Sequence, residues 1–256
     1  MFQTPPGETT RQAVRWALEA GYRLLDTAAM YGNETEVGEA VRASGLPREE
    51  VVVTTKIWHT DHGFDAALKA ARRSHERLGL GAIDLLLVHW PIAPTPEDRL
   101  GTWRALERLQ GDGTARAIGV SNYTVRHLEE LRENSEVVPA VDQVEYHPFV
   151  HDPELLDYLA GRGILLEAYS PLTRARRLDD PALLPVARAH ARTPAQILLR
   201  WGLQHGFVEL PKSVRKERIA ENARVFDFEL ADEEMRALDG LSAGARVSTT
   251  DPKKIP

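Results

Sequence analysis

Gly21-Tyr22-Arg23-Leu24-Leu25-Asp26-Thr27-Ala28-Ala29-Met30-Tyr31-Gly32-Asn33-Glu34 decides how this chain is read. A short apolar strand over 22–25 runs into Asp26, then a small-residue loop carrying Tyr31, then a new helical pattern. The same unit recurs along the chain. Residues 51–56 are β-branched and short, and 83–89 form an almost continuous apolar run, as a strand covered on both faces requires. Further strands are predicted over 115–120, 140–145, 164–169 and 207–210. Helical periodicity fills 9–20, 34–43, 64–78, 102–110, 125–132, 153–160, 181–191, 194–205, 215–224 and 232–241. Such alternation demands a parallel sheet, doubly wound or closed. No Gly-x-Gly-x-x-Gly follows an early strand, so the doubly wound dinucleotide fold lacks its phosphate loop. A single domain over 1–241 is predicted, followed by a short coil tail over 242–256.

The 256 residues suit one barrel-sized unit, with 43% hydrophobic and 27% charged residues. The chain has no cysteine, which excludes disulfides, thiolate metal sites and cysteine nucleophiles. A net charge of −6 argues against nucleic acid as a partner, so any anionic ligand needs a local cationic patch. There is no signal-peptide pattern and no apolar run of membrane-spanning length. A cytoplasmic enzyme without membrane contact is expected.

Asp26, Lys56 and His89 fall at the ends of three successive strands, where α/β barrels carry their chemistry. A lysine or histidine buried there alone would be strongly disfavoured. If the groups meet, Asp26 pairs with Lys56, and both lie near Tyr31 and His89. A cation beside a phenol lowers its pKa, which would make Tyr31 a proton donor near neutral pH.

At these residues the sequence resembles the aldo-keto reductases. Residues 21–38 (GYRLLDTAAMYGNETEVG), 84–91 (DLLLVHWP), 118–122 (IGVSN) and 211–222 (PKSVRKERIAEN) are similar to that family's signature segments. The resemblance implies a (β/α)8 TIM barrel and a catalytic tetrad of Asp26, Tyr31, Lys56 and His89. In it Tyr31 is the general acid, Lys56 with Asp26 tunes it, and His89 orients a substrate carbonyl. It also implies that an N-terminal hairpin and most of the first barrel strand are absent here, since only Met1-Phe2-Gln3 precede the turn at Thr4-Pro5-Pro6-Gly7. Seven strands can be counted where a closed barrel needs eight. The expectation is a start site placed too late or a truncated chain, with two exposed sheet edges and poor solubility.

A tyrosine acid cannot itself supply hydride, so a cofactor is needed. Ser121, Asn122 and Gln143 end the next two strands and can hydrogen-bond a carboxamide, while Tyr169 offers a ring for stacking. Helix capping and core packing are the plainer readings of these residues. Lys212, Arg215, Lys216 and Arg218 place four cations in seven residues after the last strand, at a helix start that also favours an anion. By resemblance, Lys212, Ser213, Val214 and Arg218 hold the adenosine 2′-phosphate and ribose, and Glu221 and Asn222 the adenine. The resemblance also implies that Ser170, Pro171 and Leu172 lie against the pyrophosphate. That set implies NADPH over NADH. Arg174, Arg176 and Arg177 either add to anion binding or form a solvated loop.

Trp58, Trp90, His89 and Phe2, with Met30, are expected to wall the substrate pocket. The short tail has no aromatic residue and is similar to the bacterial branch that reduces 2,5-diketo-D-gluconate, methylglyoxal and small aldehydes. A small-molecule carbonyl substrate, a monomer and no metal are expected; His59, Asp61 and His62 are neighbouring loop positions without a further ligand. Two other readings stay open: a Schiff-base aldolase using Lys56, and a non-catalytic nicotinamide-binding subunit.

Overall fold

The computed structural model describes all 256 residues, Met1–Pro256. Seven parallel strands run in chain order around a nearly closed barrel: β1 Leu24–Asp26, β2 Val52–Ile57, β3 Ile83–Val88, β4 Ala115–Ser121, β5 Val141–Glu145, β6 Leu165–Tyr169 and β7 Val208–Leu210. Ten helices surround them: α1 Glu8–Glu19, α2 Glu34–Arg42, α3 Phe64–Leu78, α4 Pro96–Gly111, α5 Val125–Asn134, α6 Pro153–Arg162, α7 Leu183–Ala189, α8 Pro194–Gln204, α9 Lys216–Asn222 and α10 Asp232–Asp239. This is the (β/α)8 architecture with seven strands formed. No strand precedes α1, and β1 and β7 do not pair with each other. The turn Met1–Thr4 sits at the mouth end of that seam. The Met1 amine donates to the backbone oxygen of Asp26, and Asn33 Nδ2 donates to the carbonyls of Met1 and Thr4.

Strand alternation sorts the side chains. Leu86 and Val88 join the main core between sheet and helices, while Leu85 and Leu87, with Val141, cluster on the opposite face, inside the barrel. Helix starts follow their caps. Thr95, Asp152 and Thr193 accept from backbone N–H groups three residues on, each just before a proline at the first helical position. The cap at Thr95 starts α4 at Pro96, six residues before the periodicity places it. Between α2 and α3 the backbones touch: a Cβ on Gly38 would lie 1.9 Å from the carbonyl oxygen of Leu78, so only glycine fits. The tail is not free coil. Val247 and Ile255 are buried against the barrel, and the tail ends in a short 3-10 turn, Pro252–Lys254.

Glu209, on the edge strand β7, turns its carboxyl toward Gly202 of α8, where neither oxygen has a hydrogen-bond partner. Burial pushes its pKa well above the usual carboxylate range. A group with a folded pKa above its unfolded value contributes fully below the unfolded value and loses that contribution as pH rises through the folded one. Wild-type stability should therefore decline from pH 5 to pH 8 relative to Glu209→Gln. The difference grows by up to about 1.4 kcal/mol per pH unit, read from urea unfolding at three pH values; parallel pH profiles would contradict this.

Candidate active site

β1 ends at Asp26, and the loop after it is held rigidly. Thr27 Oγ1 donates to Asn33 Oδ1 at 2.6 Å, and the Tyr31 N–H donates to the Ala28 carbonyl at 2.9 Å. The 3-10 turn carrying Tyr31 closes on Gly32 at φ 68°, a left-handed conformation that suits glycine. Glu34, buried at the start of α2, accepts from Thr55 Oγ1 and lies 3.1 Å from Arg77 Nη1, which fixes the loop's far end.

Lys56 is 0% exposed. Its ammonium donates to Asp26 Oδ1 and, at 2.9 Å, to the Thr27 carbonyl. Burial raises the Asp26 pKa, but the Lys56 charge, the Met1 amine and the hydrogen bonds from Lys56 and Gln143 together outweigh it, and the net shift is downward, so Asp26 is ionised. Lys56 Nζ also lies 5.3 Å from the Tyr31 ring centroid. Tyr31 Oη is 3.5 Å from His89 Nε2, the two rings meeting edge to face. The three strand-end residues and Tyr31 thus meet, as the sequence predicts.

One expectation fails. The Tyr31 pKa is raised well above 10, not lowered, because burial and then the charges of Asp26 and Tyr169 oppose the phenolate. Lys56 does not offset them, since its charge is already matched by Asp26. His89 is neutral: burial, with Lys56 adding to it, lowers its pKa to about 3. Its Nδ1 is buried without a partner. A bare lone pair there costs less than an orphaned N–H, which favours the tautomer with the proton on Nε2, facing Tyr31.

The other predicted residues lie around this centre. Ser121 Oγ donates to the Gln143 carbonyl at 2.7 Å. Asn122, at φ 63°, donates from Nδ2 to the His89 carbonyl and accepts from Tyr169 Oη at 2.8 Å. Gln143 Nε2 donates both its hydrogens to carboxylates, Asp26 Oδ1 at 2.8 Å and Glu167 Oε2 at 2.9 Å. Its Oε1 accepts nothing from the protein and stays available for a ligand amide. Phe2 stacks edge to face on Tyr31 at 5.4 Å, and Trp58 on His89 at 4.9 Å. Trp90 is half-buried and Met30 exposed. Arg174 lies over the Phe2 ring, in a loop where Ser170, Thr173, Arg174 and Ala175 all have positive φ, with Leu172 half-buried between them. Four non-glycine residues in that region store strain of about 1–2 kcal/mol each, a concentration that recurs at functional sites.

At the far end, Lys216 pairs with Glu19 at 3.8 Å, whereas Lys212, Arg215 and Arg218 are exposed without an ion pair. Ser213 Oγ accepts from the Arg215 N–H, Val214 is exposed, and Asn222 is buried. The helix here, α9, has seven residues instead of the predicted ten, so attraction for an anion rests on the side-chain cations. Glu221 is already engaged, accepting from Thr193 Oγ1 at 2.8 Å. His59 packs on Trp58 and Asp61 pairs with Arg73.

Two carboxylates escaped the sequence reading. Glu167 is two residues before Tyr169 and shares its inward face; Glu145 is two residues after Gln143 and shares the inward face of that strand. The two-residue repeat of a strand was the signal available. Glu145 accepts from the N–H groups of Val247 and Ser248 and from His147, which together hold its pKa down against burial. The tail is thus tied to the barrel through its backbone. Glu145→Ala is expected to speed hydrogen exchange at Val247 and Ser248 by at least about tenfold, since charged hydrogen bonds contribute about 1.5–3 kcal/mol. The β3 amides should be unchanged; equal exchange in both proteins would show that the tail is held elsewhere.

Residues 3–243 match the model of the aldo/keto reductase family. Glyoxal reductase of Bacillus subtilis (strain 168) is 47% identical over 247 residues, covering 96% of this chain and 88% of its own. An aldo-keto reductase enzyme from a Medee basin deep-sea metagenome library superposes with a TM-score of 0.92 at 41% identity, covering 96% of this chain and 92% of its own. The Bombyx mori aldo-keto reductase in complex with NADP superposes at 0.89 and 38% identity, covering 98% and 89%.

Proposed function

The chain belongs to the aldo/keto reductase family, and we propose that it reduces a small aldehyde or ketone to an alcohol with NADPH. The observation that carries this is the meeting of Tyr31, His89 and the Lys56–Asp26 pair at one end of the barrel. When bound, NADPH supplies the hydride that reaches the carbonyl carbon. His89, neutral and with its proton on Nε2, orients the carbonyl oxygen beside Tyr31 Oη. As the carbon accepts hydride, the oxygen gains the electron pair of the C=O bond, and Tyr31 gives its proton to that oxygen. A high Tyr31 pKa does not impede this step, because an alkoxide is a far stronger base than a phenolate. It keeps the acid loaded. Lys56 and Asp26, near neutral as a pair, hold the site's geometry.

Binding is proposed at both ends of a groove across the strand ends. Ser121, Asn122 and Gln143 hold the carboxamide and Tyr169 stacks on the ring. Ser170 and Leu172 face the pyrophosphate. Lys212, Ser213, Val214 and Arg218 hold the 2′-phosphate and ribose; Asn222, with Glu221 once released from Thr193, meets the adenine. The free Oε1 of Gln143 and the three unpaired cations support this reading. Phe2, Trp58 and Trp90 wall a pocket for a compact substrate. A Schiff-base role for Lys56 would need a free, neutral amine, and this one is buried with two oxygens on it.

Four measurements test the reading. Purified protein should oxidise NADPH with methylglyoxal or a similar small aldehyde, and no turnover across an aldehyde panel despite cofactor binding would favour the non-catalytic reading. Tyr31→Phe should lower kcat by at least about 10²-fold, the usual scale for a general acid, with NADPH affinity kept. Because the Tyr31 pKa is raised, kcat for reduction should stay level from pH 6 to pH 9, while alcohol oxidation, which needs the deprotonated oxygen, should rise; an alkaline fall in reduction would contradict this. Arg218→Ala should raise KM for NADPH by about tenfold and leave KM for NADH nearly unchanged.

A further inference from the structure

Glu167 lies one hydrogen bond from the group proposed to hold the nicotinamide carboxamide, and no role in the tetrad accounts for it. It is 1% exposed, on the inward face of β6 opposite Gln143 of β5. Carboxylates only accept, so Asp26 and Glu167 together compel the Gln143 amide to turn both N–H groups inward. Oε1 is then the one atom Gln143 can offer a ligand. Ionised Glu167 also leaves the buried layer with two carboxylates against one ammonium. We propose that Glu167 is a positioning residue: it fixes Gln143 as an acceptor toward the cofactor amide and, when ionised, favours the cationic oxidised ring over the neutral reduced one. This rests on the nicotinamide reading above.

The groups facing Glu167 leave it the one that titrates between pH 6 and 8. Burial, with the Asp26 charge adding to it, brings its pKa to about 7 against the opposing pull of Gln143 and Lys56. Asp26 is ionised and paired, His89 titrates at about 3 and the Met1 amine at about 5, and Tyr31 and Tyr169 are shifted upward. Glu145, on β5, is held ionised. The strands β3 and β4 present Leu85, Leu87 and Ala117, and β7 contributes Val208 and Leu210, none of them charged.

The test is direct binding of NADPH and of NADP+ by calorimetry from pH 5.5 to 8.5, in wild type, Glu167→Gln and Glu167→Leu. The ratio Kd(NADP+)/Kd(NADPH) removes the titration of the 2′-phosphate, common to both ligands. In wild type the ratio should fall by about tenfold as pH rises, the scale of one charge acting across a buried layer. Glu167→Gln, which keeps an acceptor for Gln143, should hold near wild-type affinity at pH 6 with a ratio independent of pH. Glu167→Leu should weaken both ligands several-fold, by about the scale of one lost charged hydrogen bond. A thermal melt confirms that each variant is folded. A Glu167→Gln ratio with the wild-type pH profile overturns this inference and leaves the nicotinamide reading standing. Wild type that binds neither ligand overturns both.

Discussion

The Lys56 ammonium is the constraint on which the rest of the mouth depends. A fully buried cation would be severely destabilising alone, and removal of one partner from such a pair costs about 3–5 kcal/mol. Asp26 and the Thr27 carbonyl answer it. Both acceptors belong to the junction between β1 and the Tyr31 loop, so meeting the charge also fixes where that loop leaves the sheet. Asn33 and Glu34 hold the loop's other end. Tyr31 is therefore placed by two anchors in sequence, neither of which it supplies itself. Asp26 in turn orients Gln143, and Gln143 orients against Glu167. Asp26, Lys56, Gln143 and Glu167 line one polar layer, set against the apolar Leu85, Leu87 and Val141 on the same interior face.

Within it the Lys56–Asp26 pair is nearly balanced in charge, which reverses the simplest inference about the tyrosine. Opposite charges in contact present little net field to a third group. Burial then dominates, and the phenol holds its proton more tightly than in water. The proposed acid works because of what it faces in the transition state, a developing alkoxide, and not because its resting pKa lies near neutral. His89 follows the same rule from the other side, kept neutral by burial and by the ammonium next to it.

Much of this was legible in the chain. A charged residue at the end of an apolar run cannot be buried without a partner, so Asp26, Lys56 and His89 announced one another. The strand positions followed from runs such as Ile83–Val88, with errors of a residue or two. Three features were not legible, each for a physical reason. Helix α4 begins at Pro96 because Thr95 caps it, and a cap is a local signal that periodicity does not carry. The tail reads as polar coil because its attachment is mainly through backbone amides, which have no sequence signature. The Tyr31 shift depends on how far Lys56 is neutralised, a three-dimensional quantity. Glu145 and Glu167 were within reach: each stands two residues from a residue singled out, on the same strand face.

The two ends of the proposed groove differ in how they would attract a ligand. Toward Tyr31 the donors and acceptors are buried and already bonded to one another, so contacts there are strong, directional and little affected by salt. Beyond β7 the cations are exposed and flexible, and each contributes little alone at physiological ionic strength. In a chain of net charge −6, a multiply charged ligand must be drawn by that small cluster against the field of the whole protein. Attraction at the phosphate end is thus open to screening, whereas alignment at the ring end is not. Ionic strength should act on capture, and the buried layer on what happens after capture.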